Sequence, residues 1–297
     1  MDEPRRDGTT SRDEAARALA GRVLACPRCR HAPLAVEGGR TACASCGWQG
    51  EMAGAVVSTM GERHAATFDA LHGHIAEHNA HPGVWRLCYE RQVQEIETAL
   101  TPGRIALDLG CGPGAPYAKP PGAIVVGVDP SIPSLAANRD IDLGLHASAA
   151  HLPLADRSVD AAIAIYVLHH MVGETVAATR ANVAAAFAEM ARVVKPDGQV
   201  VVLEICPWPP AWAAERVGWS LIRKIAGPRI DFLFWPPDAL AAMGRAAFPG
   251  AALERRRYQT GWFETFPPVI GLPWLKVPRF LYPFDPYIFR WRLGTGA

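Results

Sequence analysis

Between residues 105 and 205 the chain alternates short unbroken apolar runs with longer stretches of helical spacing. Ile105-Ala-Leu-Asp108-Leu, Ile124-Val-Val-Gly-Val, Asp160-Ala-Ala-Ile-Ala-Ile-Tyr166-Val and Gln199-Val-Val-Val-Leu-Glu204-Ile lack polar–apolar alternation, so each reads as a strand buried on both faces. Between the last two, Val183, Phe187, Met190, Ala191 and Val194 mark the apolar stripe of a crossover helix. Buried strands joined by helical crossovers predict an α/β architecture: a mostly parallel sheet covered on both faces, with ligands outside the carboxyl ends of its strands.

The flanks follow other patterns. Ser11-x-x-Glu14 reads as a capping box, and Ala16, Leu19, Ala20 and Val23 mark a short amphipathic helix. Residues 33–41 read as strand, turn and strand, with Gly38-Gly39 at the turn. Residues 50–84 hold five of the ten histidines and are read as a polar joint, stopped by Pro82-Gly83; His74, His78 and His81 share a helical face there, without a matching carboxylate or thiol. Tyr89, Val93, Ile96 and Leu100 predict one helix, ended by Pro102-Gly103. Residues 206–230 are helical in pattern, Pro236-Pro237-Asp238 opens a helix through Phe248, and Leu253 to Tyr258 is a strand. The stretch 262–297 holds ten of the 25 aromatics and six prolines, a density that forbids a long helix. It is expected to form an extended hydrophobic cover between the last two strands, with Tyr287-Ile-Phe-Arg-Trp-Arg as the final one.

Composition adds little against this reading: 49% hydrophobic and 20% charged residues exclude wholesale disorder. The net charge of +1 lacks the field on which a nonspecific nucleic-acid binder relies. It hides a gradient, since residues 49–204 carry ten Lys and Arg against seventeen acids, and residues 205–297 carry twelve against six. The first 21 residues contain no apolar signal core, and no run reaches the roughly 18 apolar residues of a membrane span. A soluble, cytoplasmic protein is expected, and its seven cysteines are expected as reduced thiols or metal ligands.

Four of the cysteines form two pairs, Cys26-Pro-Arg-Cys29 and Cys43-Ala-Ser-Cys46, in the pattern C-x2-C-x13-C-x2-C. Each pair lets one turn aim two thiolates at a single ion, and two turns complete the closed tetrahedral shell of a structural zinc. With the strands between them they predict a zinc ribbon. Cys88, Cys111 and Cys206 read as small core residues.

The loop Gly110-Cys-Gly112-Pro-Gly114 follows the first strand at once, and Asp129 ends the second, twenty-one residues after Asp108. With Ala115 in the last slot the loop also satisfies the dinucleotide pattern G-x-G-x-x-G/A, so an NAD-dependent oxidoreductase stays open at this point. What surrounds the loop resembles another family. Ala-Leu-Asp108-Leu-Gly-Cys-Gly-Pro-Gly114, Val-Val-Gly-Val-Asp129-Pro-Ser131, the stretch from Ala147 to Asp160 with Tyr166-Val-Leu-His169-His170-Met, and Glu189-Met-Ala-Arg-Val-Val-Lys-Pro196-Asp-Gly198 through Glu204 are similar, in order, to the motifs of class I S-adenosylmethionine-dependent methyltransferases. The flavour is that of small-molecule enzymes related to quinone-biosynthesis C-methyltransferases.

The resemblance implies a Rossmann-like, seven-stranded, mostly parallel sheet with helices on both faces, preceded by the ribbon. It implies S-adenosylmethionine as cofactor: Asp108 orienting the loop and the amino-acid end, Gly110, Gly112 and Gly114 allowing close approach, Asp129 taking the ribose hydroxyls, Pro130 lying on the adenine and Ala149 offering its N–H. Ser148 stands where many relatives have Asp. Pro116, Pro120 and Pro121 imply a short or irregular first crossover. Tyr166, His169 and His170 are the catalytic candidates, with Tyr166 also beside the cofactor; the alternative is that Leu-His-His is a structural turn. The ribbon resembles the small zinc-ribbon proteins that bind and activate methyltransferases, and the amino-terminal ribbon of 23S rRNA guanine methyltransferases.

The expected organisation is a helix and zinc ribbon over residues 1–50, a linker and helical cap over 51–100, and a methyltransferase domain over 101–297, with a substrate roof from about 206. The expected activity is methyl transfer to a small, partly hydrophobic acceptor. The alternatives are an rRNA or tRNA base methyltransferase that uses the ribbon for RNA contact, and a non-catalytic cofactor-binding adaptor. A protein partner at the ribbon is expected, a nucleic-acid partner is not. Arg255, Arg256, Arg257, Lys276 and Arg279 are expected to face an anionic group on the acceptor.

Overall fold

The computed structural model describes residues 8–60, 69, 74, 75, 77–226, 232–269 and 272–294. The chain opens with helix α1 (Gly8–Val23), whose Ala16, Leu19, Ala20 and Val23 are buried as their spacing predicts. Ser11 lies inside this helix and not at its cap. Four short strands follow, β1 (Ala35–Glu37), β2 (Arg40–Ala42), β3 (Gln49–Ala53) and β4 (Val56–Ser58), each antiparallel to the next. Gly38 and Gly39 carry β1 into β2 with φ of 54° and 78°, the left-handed pair that a two-residue hairpin turn needs.

Helix α3 (Val93–Glu97) is the short remnant of the helix expected over Tyr89 to Leu100, and a separate helix α2 (Pro82–Cys88) precedes it. The buried Gln92 amide donates to the Leu87 carbonyl at 3.1 Å and accepts from the Arg91 N–H at 3.1 Å, which holds a turn between the two helices. Pro82 begins α2 instead of only ending what precedes it: its fixed φ suits the first helical position, and the His81 ring caps it by accepting from Gly83 N–H at 3.1 Å. His78, another of the three aligned histidines, bonds the Pro267 carbonyl at 2.9 Å.

The central strands are β5 (Ile105–Leu109), β6 (Ile124–Asp129), β7 (Leu143–His146), β8 (Val159–Ile165) and β9 (Val194–Pro207), with α4 (Ile132–Ala137) and α5 (Val176–Val193) as crossovers. Residues 110–123 contain no helix, as the proline-crowded sequence there implies. Helices α6 (Pro209–Ala226) and α7 (Pro237–Ala247), the strand β10 (Ala252–Arg257), the two-residue strands β11 (Thr265–Phe266) and β12 (Val277–Pro278), and β13 (Phe284–Arg292) complete the chain. Among the described residues no helix is long and apolar enough to cross a membrane.

The strand order β7-β6-β5-β8-β9-β13-β10 gives the expected seven-stranded, mostly parallel unit, with β13 antiparallel to both neighbours. The sheet does not stop at β7. β4 pairs parallel with β7, Val56 opposite Gly144 through Ser58 opposite His146, so the amino-terminal strands extend one sheet to eleven. The docking is also apolar and ionic. α1 and the ribbon contribute Leu19, Val23, Leu34 and Met52 to the core that holds Leu107, Leu145 and Phe187. Arg30 reaches across to the Leu152 carbonyl at 2.8 Å and to both oxygens of the buried Glu189 at 3.0 and 3.2 Å. Strand order reverses between β5 and β8, which places the switch-point crevice at their carboxyl ends.

Candidate cofactor pocket and zinc ribbon

Two loops meet in that crevice. After β5 the chain turns through Gly110 and Gly112, with φ of 70° and 55°. A Cβ on Gly110 would lie 2.4 Å from a Val167 methyl, so only glycine lets this loop touch the one after β8. Gly112 has nothing within 4 Å of its Cβ position, which leaves room for a ligand against the backbone. Three side chains hold the loop. Asn138 Nδ2 donates to the carbonyls of Cys111 at 3.2 Å and Gly112 at 3.0 Å, Asp129 Oδ2 accepts Gly112 N–H at 2.9 Å, and Asp140 accepts Ala115 N–H at 3.0 Å, beside Gly114.

Asp108 is buried in β5 and accepts the Tyr117 hydroxyl at 2.6 Å; burial pushes its carboxyl up to about 7. Asp129 also accepts Ser131 N–H at 2.8 Å, and burial pushes it up to about 6 against these backbone bonds. A carboxylate offers about four acceptor positions, so the two bonds leave Asp129 capacity for a pair of ligand hydroxyls. Pro130 is half-buried directly after it. Ser148 and Ala149 lie past the end of β7; the Ser148 hydroxyl accepts Ala150 N–H at 3.2 Å and so closes its own turn, while Ala149 packs on the core.

Among the described residues two buried polar atoms nearby lack a hydrogen bond of good geometry, Asp69 Oδ1 and His146 Nε2, with the His146 ring facing the Pro130 backbone. Asp69 is close enough to Asp129 to help raise its carboxyl. His146 ends β7, where its Nδ1 is hydrogen-bonded to Ser58 Oγ of β4 at 2.8 Å. Buried orphan groups beside a carboxylate at a switch point fit a ligand rich in hydroxyls and ring nitrogens, such as an adenosyl group.

After β8, Tyr166 has φ of 55°, a left-handed conformation rare for a bulky residue. Its hydroxyl donates to the Cys88 carbonyl at 2.7 Å, and burial pushes the phenol well above its ordinary range. His169 is buried, with Nδ1 bonded at 2.6 Å to Oε1 of the fully buried Glu204 at the end of the neighbouring β9. Its backbone N–H also reaches Glu204 Oε2 at 3.3 Å. The His170 ring centroid lies 4.1 Å from that of His169, and Phe234 stacks on His169 at 4.8 Å.

Above Tyr166, the segments β11 and β12 form a two-stranded hairpin. Phe266 and Tyr282 meet edge to face at 4.9 Å and share an apolar cluster with Val84, Leu87, Tyr89 and Tyr166, so this hairpin and α2 roof the carboxyl end of β8. Trp274 and Phe280 belong to the outer surface, 75% and 42% exposed. The arginines expected to face an anion have partners of their own: Arg255 pairs with Asp238, Arg256 with Glu95 and Glu254, and Arg257 and Arg279 with Asp285. β10 is an edge strand, so its outward arginines find carboxylates on adjoining elements and not the crevice.

In the ribbon, the Sγ atoms of Cys26, Cys29, Cys43 and Cys46 all lie within 4.8 Å of one another, with Cys26–Cys46 at 3.6 Å and Cys29–Cys43 at 3.5 Å. Zinc–sulfur bonds of about 2.3 Å in a tetrahedron set sulfur–sulfur separations of about 3.8 Å, so the cluster fits zinc. Each knuckle closes with a backbone bond, Arg30 N–H to Cys26 O at 2.9 Å and Gly47 N–H to Cys43 O at 3.0 Å, with Arg30 and Gly47 left-handed.

Residues 107–202 match the family described as the methyltransferase domain. The chain is 30% identical over 167 residues to the tRNA (carboxymethyluridine(34)-5-O)-methyltransferase of Arabidopsis thaliana, covering 56% of this chain and 35% of that protein. It is 39% identical over 106 residues to the demethylmenaquinone methyltransferase of Corynebacterium kroppenstedtii, covering 35% of this chain and 42% of that one. The chain thus spans less than half the length of either relative. Among solved structures, a chain from the complex of the Haloferax volcanii Trm112 methyltransferase activator with a methyltransferase superposes with a TM-score of 0.52 at 17% identity, over 78% of this chain and 97% of that one. The [4+2]-cyclase SpnF gives 0.56 at 18%, over 80% and 98%. The fold is that of the class I S-adenosylmethionine-dependent methyltransferases. Within this chain, the family match is confined to residues 107–202.

Several residues that build the pocket carry no motif of their own. Tyr117, Asn138 and Asp140 act through loop contacts at separations no pattern encodes. Glu204 closes the motif stretch that begins at Glu189; the pairing of β9 with β8 brings it next to the histidines that follow β8.

Proposed function

We propose that the protein transfers a methyl group from S-adenosylmethionine to a small, partly hydrophobic acceptor. The observation that carries this reading is the glycine loop clamped between Asp108 and Asp129 beneath an aromatic roof. S-adenosylmethionine, when bound, would supply a methyl already activated by its sulfonium, which asks of the acceptor only an in-line approach. The chain's task is alignment and dryness. Asp108 and Asp129 hold the cofactor's polar ends, and Phe266 and Tyr282 exclude water over the β8 end. Where the acceptor must lose a proton, His169 takes it. Glu204 accepts from Nδ1–H, which fixes the tautomer, orients the ring and leaves Nε2 as the basic nitrogen. Tyr166 positions α2 against β8 through Cys88 and does not serve as a base, because its proton is engaged and its phenol is held well above neutrality. The four ribbon cysteines hold one structural zinc.

A second reading, with an RNA nucleoside as acceptor, is favoured by the similarity to the plant tRNA methyltransferase. The near-neutral chain argues against it, since RNA binding draws on a strongly basic face. Incubating the protein with labelled S-adenosylmethionine and cell extract, with and without ribonuclease, separates the two. A labelled low-mass product that survives ribonuclease is expected, and His169→Ala should slow its formation by about a hundredfold or more. Label confined to ribonuclease-sensitive material would move RNA to first place, and calorimetry that finds NAD binding instead would end the methyltransferase reading.

A further inference from the structure

The strand that carries the amino-terminal sheet into the rest of the molecule ends against the cofactor pocket. Ser58 closes β4 opposite His146, and His146 closes β7 opposite Asp129, so three neighbouring strands stop in line. Backbone and side chains both tie the first two. Thr59 donates its N–H and its hydroxyl to the His146 carbonyl at 3.0 and 3.1 Å, and Ser58 Oγ lies 2.8 Å from His146 Nδ1. The other side of the ring faces the Pro130 backbone, directly after Asp129. Asp69 acts electrostatically on both His146 and Asp129, which marks how near the two stand.

These contacts decide where the ring carries its proton. His146 is 1% exposed, and burial holds it below its ordinary value, so the imidazole is neutral with a single N–H. Proline has no N–H, so toward Pro130 the ring can only donate, to the carbonyl, and the proton sits on Nε2. Nδ1 is then the acceptor and the Ser58 hydroxyl the donor. The other acceptor within reach of that hydroxyl, the Met60 carbonyl, is farther away at 3.4 Å. His146 therefore stands as a strut between β4 and the turn that follows Asp129.

We propose that Ser58 is a positioning residue for the cofactor site: through His146 it holds the Asp129–Pro130 turn in place, so that the amino-terminal strands set the affinity for the adenosyl group. The proposal rests on S-adenosylmethionine being the cofactor. Asp129 itself accepts Ser131 N–H at 2.8 Å and Gly112 N–H at 2.9 Å, so a shift of this turn also disturbs the glycine loop. Hydrogen bonds weaken steeply as their angle closes, which makes a small displacement of the carboxylate costly to a ligand held by its hydroxyls.

The test is calorimetry of S-adenosylmethionine binding to the full chain. Ser58→Ala should raise Kd about tenfold while keeping the circular dichroism and the metal content of the wild type, and Ser58→Thr, which restores the hydroxyl, should recover most of the loss. A general loosening of the fold would add to the effect of any other variant in the site. Action through the Asp129 turn would not: in an Asp129→Ala background, Ser58→Ala should weaken binding by less than about twofold more. Additive losses in the double variant overturn the proposal, and so does equal binding by wild type and Ser58→Ala, with the cofactor reading left intact in both cases. A wild type that binds no S-adenosylmethionine ends that reading and the proposal with it.

Discussion

Asp108 is where the fold gives up stability for the pocket. Burial pushes its carboxyl up to about 7, so between about pH 4 and pH 7 the folded chain keeps a proton there that the unfolded chain has released. More protons bound when folded means that the ligand-free protein loses stability as pH rises through that window. Asp108→Asn removes the ionisation while leaving Tyr117 an acceptor. It should therefore stabilise the ligand-free protein at about pH 8 by on the order of 2 kcal/mol and make little difference near pH 4. The same variant should bind S-adenosylmethionine more weakly, because an ionised carboxylate is what an amino-acid ammonium seeks. Denaturant melts at both pH values and calorimetry check the two halves, and a variant less stable at both would show that the charge is not the cost. Asp129→Ala should weaken cofactor binding by about 1.5–3 kcal/mol for each charged hydrogen bond lost.

At the scale of elements, the roof divides into an inner and an outer face. Phe266 and Tyr282 look onto Tyr166, whereas Trp274 and Phe280 look outward. Tyr282→Ala should then raise the acceptor KM or lower kcat and leave cofactor affinity within about threefold, under ~0.7 kcal/mol. Equal loss of cofactor and acceptor binding would make Tyr282 part of the core instead. The aromatic cover, the buried strands and the irregular loop after Gly114 were all legible in the sequence, because burial and proline act locally. Which aromatic faces which way was not, since period-two inference needs a strand longer than β11 or β12. Nor was the break between α2 and α3 legible, as it depends on one buried Gln92 amide competing for a helical carbonyl. Asp108 and Asp129 stood out through their neighbours in the motif; Asp69 and His146 have no such company.

For the molecule as a whole, the ribbon is an integral part of the core. Burial pushes the Glu189 carboxyl up, but hydrogen bonds from Arg192, Arg30 and Leu152 N–H outweigh this and hold it down at about 2. A depressed carboxyl stabilises the fold above its ordinary value of about 4.3 and loses that contribution as pH falls toward 2, so acid should loosen the ribbon's ionic tie to α5. The purified protein should hold one zinc per chain. Cys43→Ser should lose it and destabilise more than the ribbon alone, because metal binding energy is folding energy and the ribbon shares the main core. Metal analysis with thermal melts checks this, and an unchanged melting temperature without zinc would show that the two parts fold independently.

Continuity of the sheet through β4 and β7 also decides where the protein is sticky. β7 is Leu-Gly-Leu-His with every residue buried, and without β4 it would present unpaired backbone and bare aliphatic side chains to any extended peptide. With the ribbon in place the sheet ends instead on β1, three residues long and closed by Glu37, and at the far side on β10 with Glu254 and three arginines. Short or charged borders discourage edge-to-edge pairing between molecules. Stripping the zinc should therefore show itself first as self-association through β7, appearing as light scattering before any loss of helical signal.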